Sequence, residues 1–204
     1  MIAIVDYGMG NLRSVQKGFL KAGIDARVTA QAGDIEDAGG VVIPGVGAFR
    51  DCMRNLQNLN LIDTIRRSIE KGKPLLGICL GLQLLFTESE EFGNSAGLGI
   101  FEGKVVRFQD KTLKIPHMGW NIVSLKKRPP LFDGIEDGKY FYFVHSYYVA
   151  PTDSSIICGV TPYGAGFTSM VWKDNVFAMQ FHPEKSQAAG LKILENFGKF
   201  VKAH

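Results

Sequence analysis

Cys79 stands in Gly77-Ile78-Cys79-Leu80-Gly81, directly behind the apolar run Pro74-Leu75-Leu76, and far along the chain comes Phe181-His182-Pro183-Glu184. Together these residues can build an activated thiolate. Gly-x-Cys-x-Gly is the nucleophile-elbow pattern with sulfur in place of oxygen: a strand that bends sharply into a helix and holds the nucleophile at the bend. Glycines flank the bend because side chains there would collide. The bend also places the thiol at a helix N-terminus, where free amides and the helix dipole favour negative charge.

The second segment supplies a base and the group that orients it. Pro183 disfavours helical backbone at His182, and in an extended chain residues two apart project to the same side. His182 and Glu184 are therefore expected to share a face. One imidazole nitrogen can then take the Cys79 proton while the other donates to the Glu184 carboxylate. His117 and His145 have no carboxylate at that spacing. His145 ends an aromatic run and precedes Ser146-Tyr147-Tyr148. It is expected at a strand end bordering a ligand crevice, where binding and structural roles both stay open.

The elements that must position these residues are legible in outline. Ile2 to Val5 reads as a strand, and Leu12, Val15 and Phe19 recur at helical spacing behind it. Val41-Val42-Ile43 is a second strand, and it ends in the turn Pro44-Gly45-Val46-Gly47. Amide groups of Val46 and Gly47 in that turn, with the amide of Leu80, could face a developing oxyanion; an ordinary strand-to-helix turn is the alternative. Leu61, Ile62, Ile65 and Ile69 mark a helix that Gly72 ends, and Leu75 to Ile78 is the strand that delivers Cys79. From Gly103 to about Gln180 β-type runs dominate, which predicts antiparallel strands added beside a parallel sheet. Leu191, Leu194, Phe197 and Val201 predict a docked last helix. The expected fold class is α/β, a mostly parallel central sheet flanked by helices, as a single domain over residues 1–204.

Composition removes several function classes. The formal charge of +3 is small and scattered, with Lys126-Lys127-Arg128 the one basic run, so no nucleic-acid partner is expected. No apolar run approaches membrane-spanning length, and Met1 to Asp6 reads as a first strand and not as a leader. Cys52, Cys79 and Cys158 are odd in number and widely spaced, which argues against a disulfide framework or a zinc site and fits the cytoplasm. Gly8-Met9-Gly10 opens like a dinucleotide fingerprint, but Arg13 stands where the third glycine is required, and Asn11 reads as a helix N-cap.

Six segments carry a resemblance to a known family. They are Asp6-Tyr7-Gly8-Met9-Gly10-Asn11, Pro44-Gly45-Val46-Gly47-Ala48-Phe49, Gly77 to Gln83, Pro116-His117-Met118-Gly119-Trp120-Asn121, Phe143-Val144-His145-Ser146-Tyr147 and His182-Pro183-Glu184-Lys185-Ser186. With Cys, His and Glu in that chain order, the sequence resembles the class I glutamine amidotransferases. Within them it is most similar to the branch of glutaminase subunits that serve imidazole glycerol phosphate synthases. Leu82, where many sister enzymes carry a histidine, favours that branch over the anthranilate-synthase type.

The resemblance implies that Cys79 attacks the glutamine side-chain amide, and that Gly47, Gln83, His145, Ser146 and Tyr147 hold the amino-acid head group. It implies that Val46, with Leu80, supplies oxyanion amides, and that neither metal nor organic cofactor is required. It implies a partner, a cyclase with a (β/α)8 barrel, because a barrel needs roughly 250 residues that this chain does not contain. Asn11, Trp120, Tyr142 and Lys185 are the candidates for that interface or for an ammonia exit, each with a surface or core role as the alternative. A stand-alone thiol hydrolase of γ-glutamyl amides, or the glutaminase of another class I enzyme, stays open at this point.

Overall fold

The structure, a computed structural model, describes residues 1–204. Strand β1 (Ile2–Val5) leads through α1 (Leu12–Lys21) to β2 (Ala26–Thr29), and α2 (Ala32–Asp37) leads to β3 (Gly40–Gly45). Helices α3 (Phe49–Asn58) and α4 (Ile62–Glu70) precede β4 (Leu75–Cys79), which runs without a break into the short α5 (Leu80–Leu84). Then come β5 (Phe86–Ser89), β6 (Ser95–Ala96), β7 (Phe101–Arg107), β8 (His117–Ile122) and β9 (Ser124–Leu125). Strands β10 (Tyr140–His145), β11 (Tyr147–Pro151), β12 (Ile157–Tyr163), β13 (Ala165–Lys173) and β14 (Val176–Met179) follow, before α6 (Gln187–Ala203).

The centre of the main sheet is a run of parallel strands in the order β2-β1-β3-β4-β14. Such strands are buried on both faces, so they read as unbroken apolar runs. Ile2 and Ile4, Val42, Leu76 and Ile78, and Phe177 and Met179 face one side; Ala3 and Val5, Val41 and Ile43, Leu75, and Val176 and Ala178 face the other. Each side carries a core of 26 buried residues, so the two faces are equal and the fold is a three-layer α/β arrangement. On the first face, α1 turns Val15, Gly18 and Phe19 inward, and Phe19 meets Phe197 of α6 with ring centroids 6.2 Å apart. Burying a ring of that size contributes about 1.5–3 kcal/mol.

The expectation of antiparallel strands up to about Gln180 is corrected at β14, which runs parallel to β4 and belongs to the central parallel set; only beyond it does the sheet turn antiparallel, through β13 and β11. The antiparallel pairing starts earlier than Gly103, since β5 already lies in the far part of the sheet, parallel to β7 on one side and antiparallel to the edge strand β6 on the other. A second departure is β8 with β10, which form a separate two-stranded ribbon outside the main sheet. Its inward face holds His117, Phe141, Phe143 and His145, all buried, while Met118, Trp120 and Tyr140 are exposed on the other. No helix is long and apolar enough to cross a membrane.

Candidate active site

Strands β3, β4 and β14 are neighbours that all point the same way, so their carboxyl ends deliver three separate chain segments to one place. β3 brings the turn at Val46 and Gly47, β4 brings Cys79 directly opposite Gly45, and β14 leads through Gln180 and Phe181 to His182. The bend at Cys79 is strained, with φ 55° and ψ −110° on a non-glycine residue. Such a conformation costs on the order of 1–3 kcal/mol and persists only where the surroundings impose it. Here they do: a Cβ on Gly81 would lie 1.8 Å from the Ile43 carbonyl oxygen, and one on Gly77 would lie 2.9 Å from the Gly81 oxygen. The elbow is possible only because α5 presses bare backbone against β3.

His182 is extended (φ −99°, ψ 98°), as Pro183 requires, but Glu184 lies in a 3-10 turn spanning Pro183–Lys185. The sequence expectation of a shared face on an extended segment is thus corrected in its geometry. The contact itself forms, because the turn folds the carboxylate back: His182 Nδ1 and Glu184 Oε1 are 2.8 Å apart, both side chains almost fully buried. Burial alone would lower the imidazole pKa, but the Cys79 thiolate and then Glu184 outweigh it and raise it to about 10. His182 Nε2 has no hydrogen-bond partner in this resting arrangement, and Cys79 Sγ lies 3.8 Å from the Val144 carbonyl it can donate to.

A raised folded pKa has a defined sign. The contribution of His182 to stability is complete below about pH 6.5, its ordinary value, and is lost as pH rises through about 10. In the Cys79→Ala variant the largest raising influence is gone while burial remains. The His182 titration, followed by NMR of ¹⁵N-labelled histidine, is therefore expected to move to lower pH in that variant. An unchanged midpoint would contradict the coupling.

Cys79 opens onto a cavity of about 300 Å³. Val46, Gly47, Leu80, Gln83, His145, Ser146, Tyr147 and His182 line it as well, so nearly every residue singled out for catalysis or binding in the sequence meets here. Gly47 has φ +96°, the left-handed region that favours glycine. No backbone carbonyl takes the amide of Val46 or Gly47. From behind, the turn is held by its oxygens: the Tyr7 hydroxyl donates to Pro44 O, and the Cys52 thiol to Val46 O at 3.8 Å. Leu80 opens α5, where first-turn amides lack intrahelical partners.

Other residues take roles that the sequence did not suggest. Glu91 also lines the cavity, while its Oε2 accepts from the Phe49 amide at 2.7 Å and caps α3. No short-range pattern marks it. His117 and His145 are hydrogen-bonded to each other at 2.9 Å, and His145 Nδ1 is 2.8 Å from Tyr147 O. Burial pushes both imidazoles down, to about 4 and about 3, so both are neutral. With both ring nitrogens engaged, His145 offers a ligand its apolar edge. Outside the cavity, Trp120 and Tyr142 meet with ring centroids 6.2 Å apart, and the Lys185 ammonium lies 5.7 Å from the Tyr142 ring centre. Asn11 is exposed, and its side chain caps α1 by accepting from Ser14 N at 3.4 Å.

A family model described as glutamine amidotransferase class-I matches residues 3–200. The chain belongs to the class I glutamine amidotransferases. Among the curated relatives of this amidotransferase is the "Imidazole glycerol phosphate synthase subunit HisH" of Syntrophotalea carbinolica, 56% identical over 97% of this chain and 99% of the relative. The protein of the same name from Geobacter sulfurreducens is 56% identical over 97% of this chain and 98% of its own length. Among solved structures, one described as "glutamine amidotransferase" superposes with a TM-score of 0.76 at 19% identity, covering 97% of this chain and 100% of that one. The PurLQS structure from Thermotoga maritima also reaches 0.76, at 18% identity, over 98% and 97% of the two chains. At such identities the likeness is one of fold, and it places the amidotransferase architecture over nearly the whole chain.

Proposed function

We propose that this amidotransferase is the glutaminase subunit of an imidazole glycerol phosphate synthase, which releases ammonia from glutamine and passes it to a separate cyclase. The observation that carries the reading is the convergence of Cys79, His182 and Glu184 on one cavity, in a chain more than half identical to curated synthase subunits.

The chemistry follows from the geometry. Cys79 gives its proton to His182 Nε2, and the thiolate attacks the side-chain carboxamide carbon of glutamine. The oxyanion is received by the amide of Leu80 and by an amide of the Val46–Gly47 turn. His182 returns the proton to the leaving nitrogen, so ammonia departs and a glutamyl thioester remains on Sγ. Water, deprotonated by His182, then opens the thioester to glutamate. Both N–H groups of the Gln83 carboxamide are already engaged, by Tyr147 O and Gln180 Oε1. Its free oxygen is left to accept from the substrate, and Glu91, whose carboxylate lines the same cavity, is the proposed partner of the α-ammonium group.

Ammonia released into water at neutral pH would be protonated, so it must pass directly to its acceptor. The ribbon of β8 and β10 suits that handover. Val144, Tyr142 and Tyr140 lie opposite Met118, Trp120 and Ile122, so the ribbon's outer face runs from the cavity wall at Val144 to exposed aromatic surface. The (β/α)8 cyclase is proposed to dock on this face, with Trp120, Tyr142 and Lys185 in the contact and Asn11 at its margin. Three free cysteines fit a reducing cytoplasm.

The test is glutamate release measured with and without the cyclase and its nucleotide ligand. Turnover is expected to depend on the partner; strong activity alone, unchanged by adding a barrel, would leave a stand-alone hydrolase. Trp120→Ala, at a side chain 46% exposed, should spare the fold and weaken the complex by about 2 kcal/mol, roughly thirtyfold in Kd by calorimetry. Undiminished affinity would place the interface elsewhere.

A further inference from the structure

We propose that Gln180 is a further catalytic residue, whose carboxamide N–H donates to Cys79 Sγ and steadies the thiolate as it forms. Gln180 is completely buried, one residue beyond β14, and its Nε2 lies 3.7 Å from the sulfur. This inference rests on Cys79 being the nucleophile.

Its weight depends on which end of the carboxamide faces the sulfur, and the hydrogen-bond chain decides that from a group with no ambiguity. The Tyr147 backbone oxygen can only accept. The Gln83 atom 3.0 Å from it must therefore be the nitrogen. That same nitrogen lies 3.1 Å from the Gln180 side chain and has a second hydrogen to give, so the Gln180 atom it meets is the oxygen. The remaining end, towards Cys79, is the NH2 group. Swapping either carboxamide would set nitrogen against nitrogen or oxygen against oxygen.

The chain extends further on the other side of Tyr147 O, which also takes His145 Nδ1–H at 2.8 Å. His145 Nε2 then accepts from His117 Nδ1 at 2.9 Å, and His117 Nε2 from Asn121 Nδ2 at 3.1 Å. Every donor in this series has an acceptor: Gln83 of α5 and Tyr147 of β11 set the direction of Gln180, and His145, His117 and Asn121 on β10 and β8 extend the network beyond them. Its backbone is anchored too, the Gln180 amide donating to Ser169 O at 2.9 Å. A charge developing on sulfur in a closed site needs fixed donors. His182 supplies one from one side, and the oriented Gln180 amide supplies the other at no cost in reorganisation.

The experiment uses the complex with the cyclase. Gln180→Leu removes the donor at similar size, and Gln180→Glu keeps the shape while replacing the donor with oxygen. Alkylation of Cys79 by iodoacetamide is followed from about pH 5 to about 10, with kcat and KM for glutamine measured alongside. Loss of one hydrogen bond to a charged group is expected to slow alkylation at neutral pH roughly tenfold and move the profile to higher pH. Gln180→Glu should lose more, and kcat should fall in both while KM changes little.

Unchanged alkylation profiles in both variants would overturn the proposal. A wild-type chain whose Cys79 does not react at all would instead overturn the glutaminase reading. Should both variants fail to fold, NMR of the ¹⁵N-glutamine-labelled chain serves: the Gln180 side-chain amide protons should shift on Cys79→Ala. Identical shifts with and without the sulfur would refute the bond.

Discussion

Replacing Cys79 by alanine is expected to stop glutamate release by the complex, lowering kcat by roughly ten-thousandfold or more while leaving the fold in place. No other thiol can substitute. Cys52 and Cys158 are completely buried, and burial pushes each thiol up to about 12, out of reach of ionisation at neutral pH. Neither lines the cavity, which Cys79 does. Alanine keeps the Cβ and hence the backbone demands of the elbow, so φ 55° remains as attainable as before. The assay is glutamate release beside a thermal melt of the same preparation. Appreciable turnover from a folded Cys79→Ala complex would sink the covalent mechanism.

The second large effect concerns a residue that touches no substrate. Gly81→Ala would drive a methyl group to within 1.8 Å of the Ile43 carbonyl oxygen and 2.9 Å of its carbon. Both belong to the backbone of β3, so no rotamer change can relieve the clash. α5 must back away from β3, and Cys79 moves with it. A destabilisation of about 3 kcal/mol or more is expected, at the upper end for overpacking. For a chain of 204 residues that lowers Tm by about 6–12 °C, with loss of Cys79 alkylation. Gly33→Ala is the control, since nothing lies within 4 Å of a Cβ there. A Gly81→Ala chain that melts like the parent would show that the close approach is not what shapes the elbow.

The two variants separate chemistry from its support, and the sequence was unequally informative about them. Cys79 on one side, and His182 with Glu184 on the other, were legible as candidates because each carries its diagnostic context within a few residues of chain, although the two segments lie about a hundred residues apart. Gly-x-Cys-x-Gly encodes its own bend, and His182-Pro183-Glu184 encodes its own contact. Even there the local argument reached the right contact by the wrong path, since Glu184 returns through a 3-10 turn that Pro183 opens. The burial of β1, β3 and β4 on both faces was likewise written in apolar runs, whereas β14 read as one of the added antiparallel strands and is in fact parallel to β4.

Gln180 shows where that kind of reading stops. It lies 101 residues from Cys79 and reaches it only because β14 is inserted beside β4. Glu91 joins the cavity and caps α3 across 42 residues. Tyr7 and Cys52 hold the glycine turn from behind, across 37 and 6 residues. None of these residues sits in a spacing that carries chemistry by itself. The ribbon of β8 and β10 was also beyond local pattern, because alternation assigns a strand to a face but not to a sheet.

The sequence alone determined the α/β class and named the candidate reactive groups, since residue type, glycine placement and apolar periodicity are local properties that survive without a fold. Strand order was settled only in three dimensions. By setting β3, β4 and β14 side by side, the tertiary structure joined Cys79, the Val46–Gly47 turn and His182 into one site. It also supplied the buried hydrogen-bond chain that aims Gln180 at the sulfur, because the direction of a carboxamide depends on partners that only folding brings within reach.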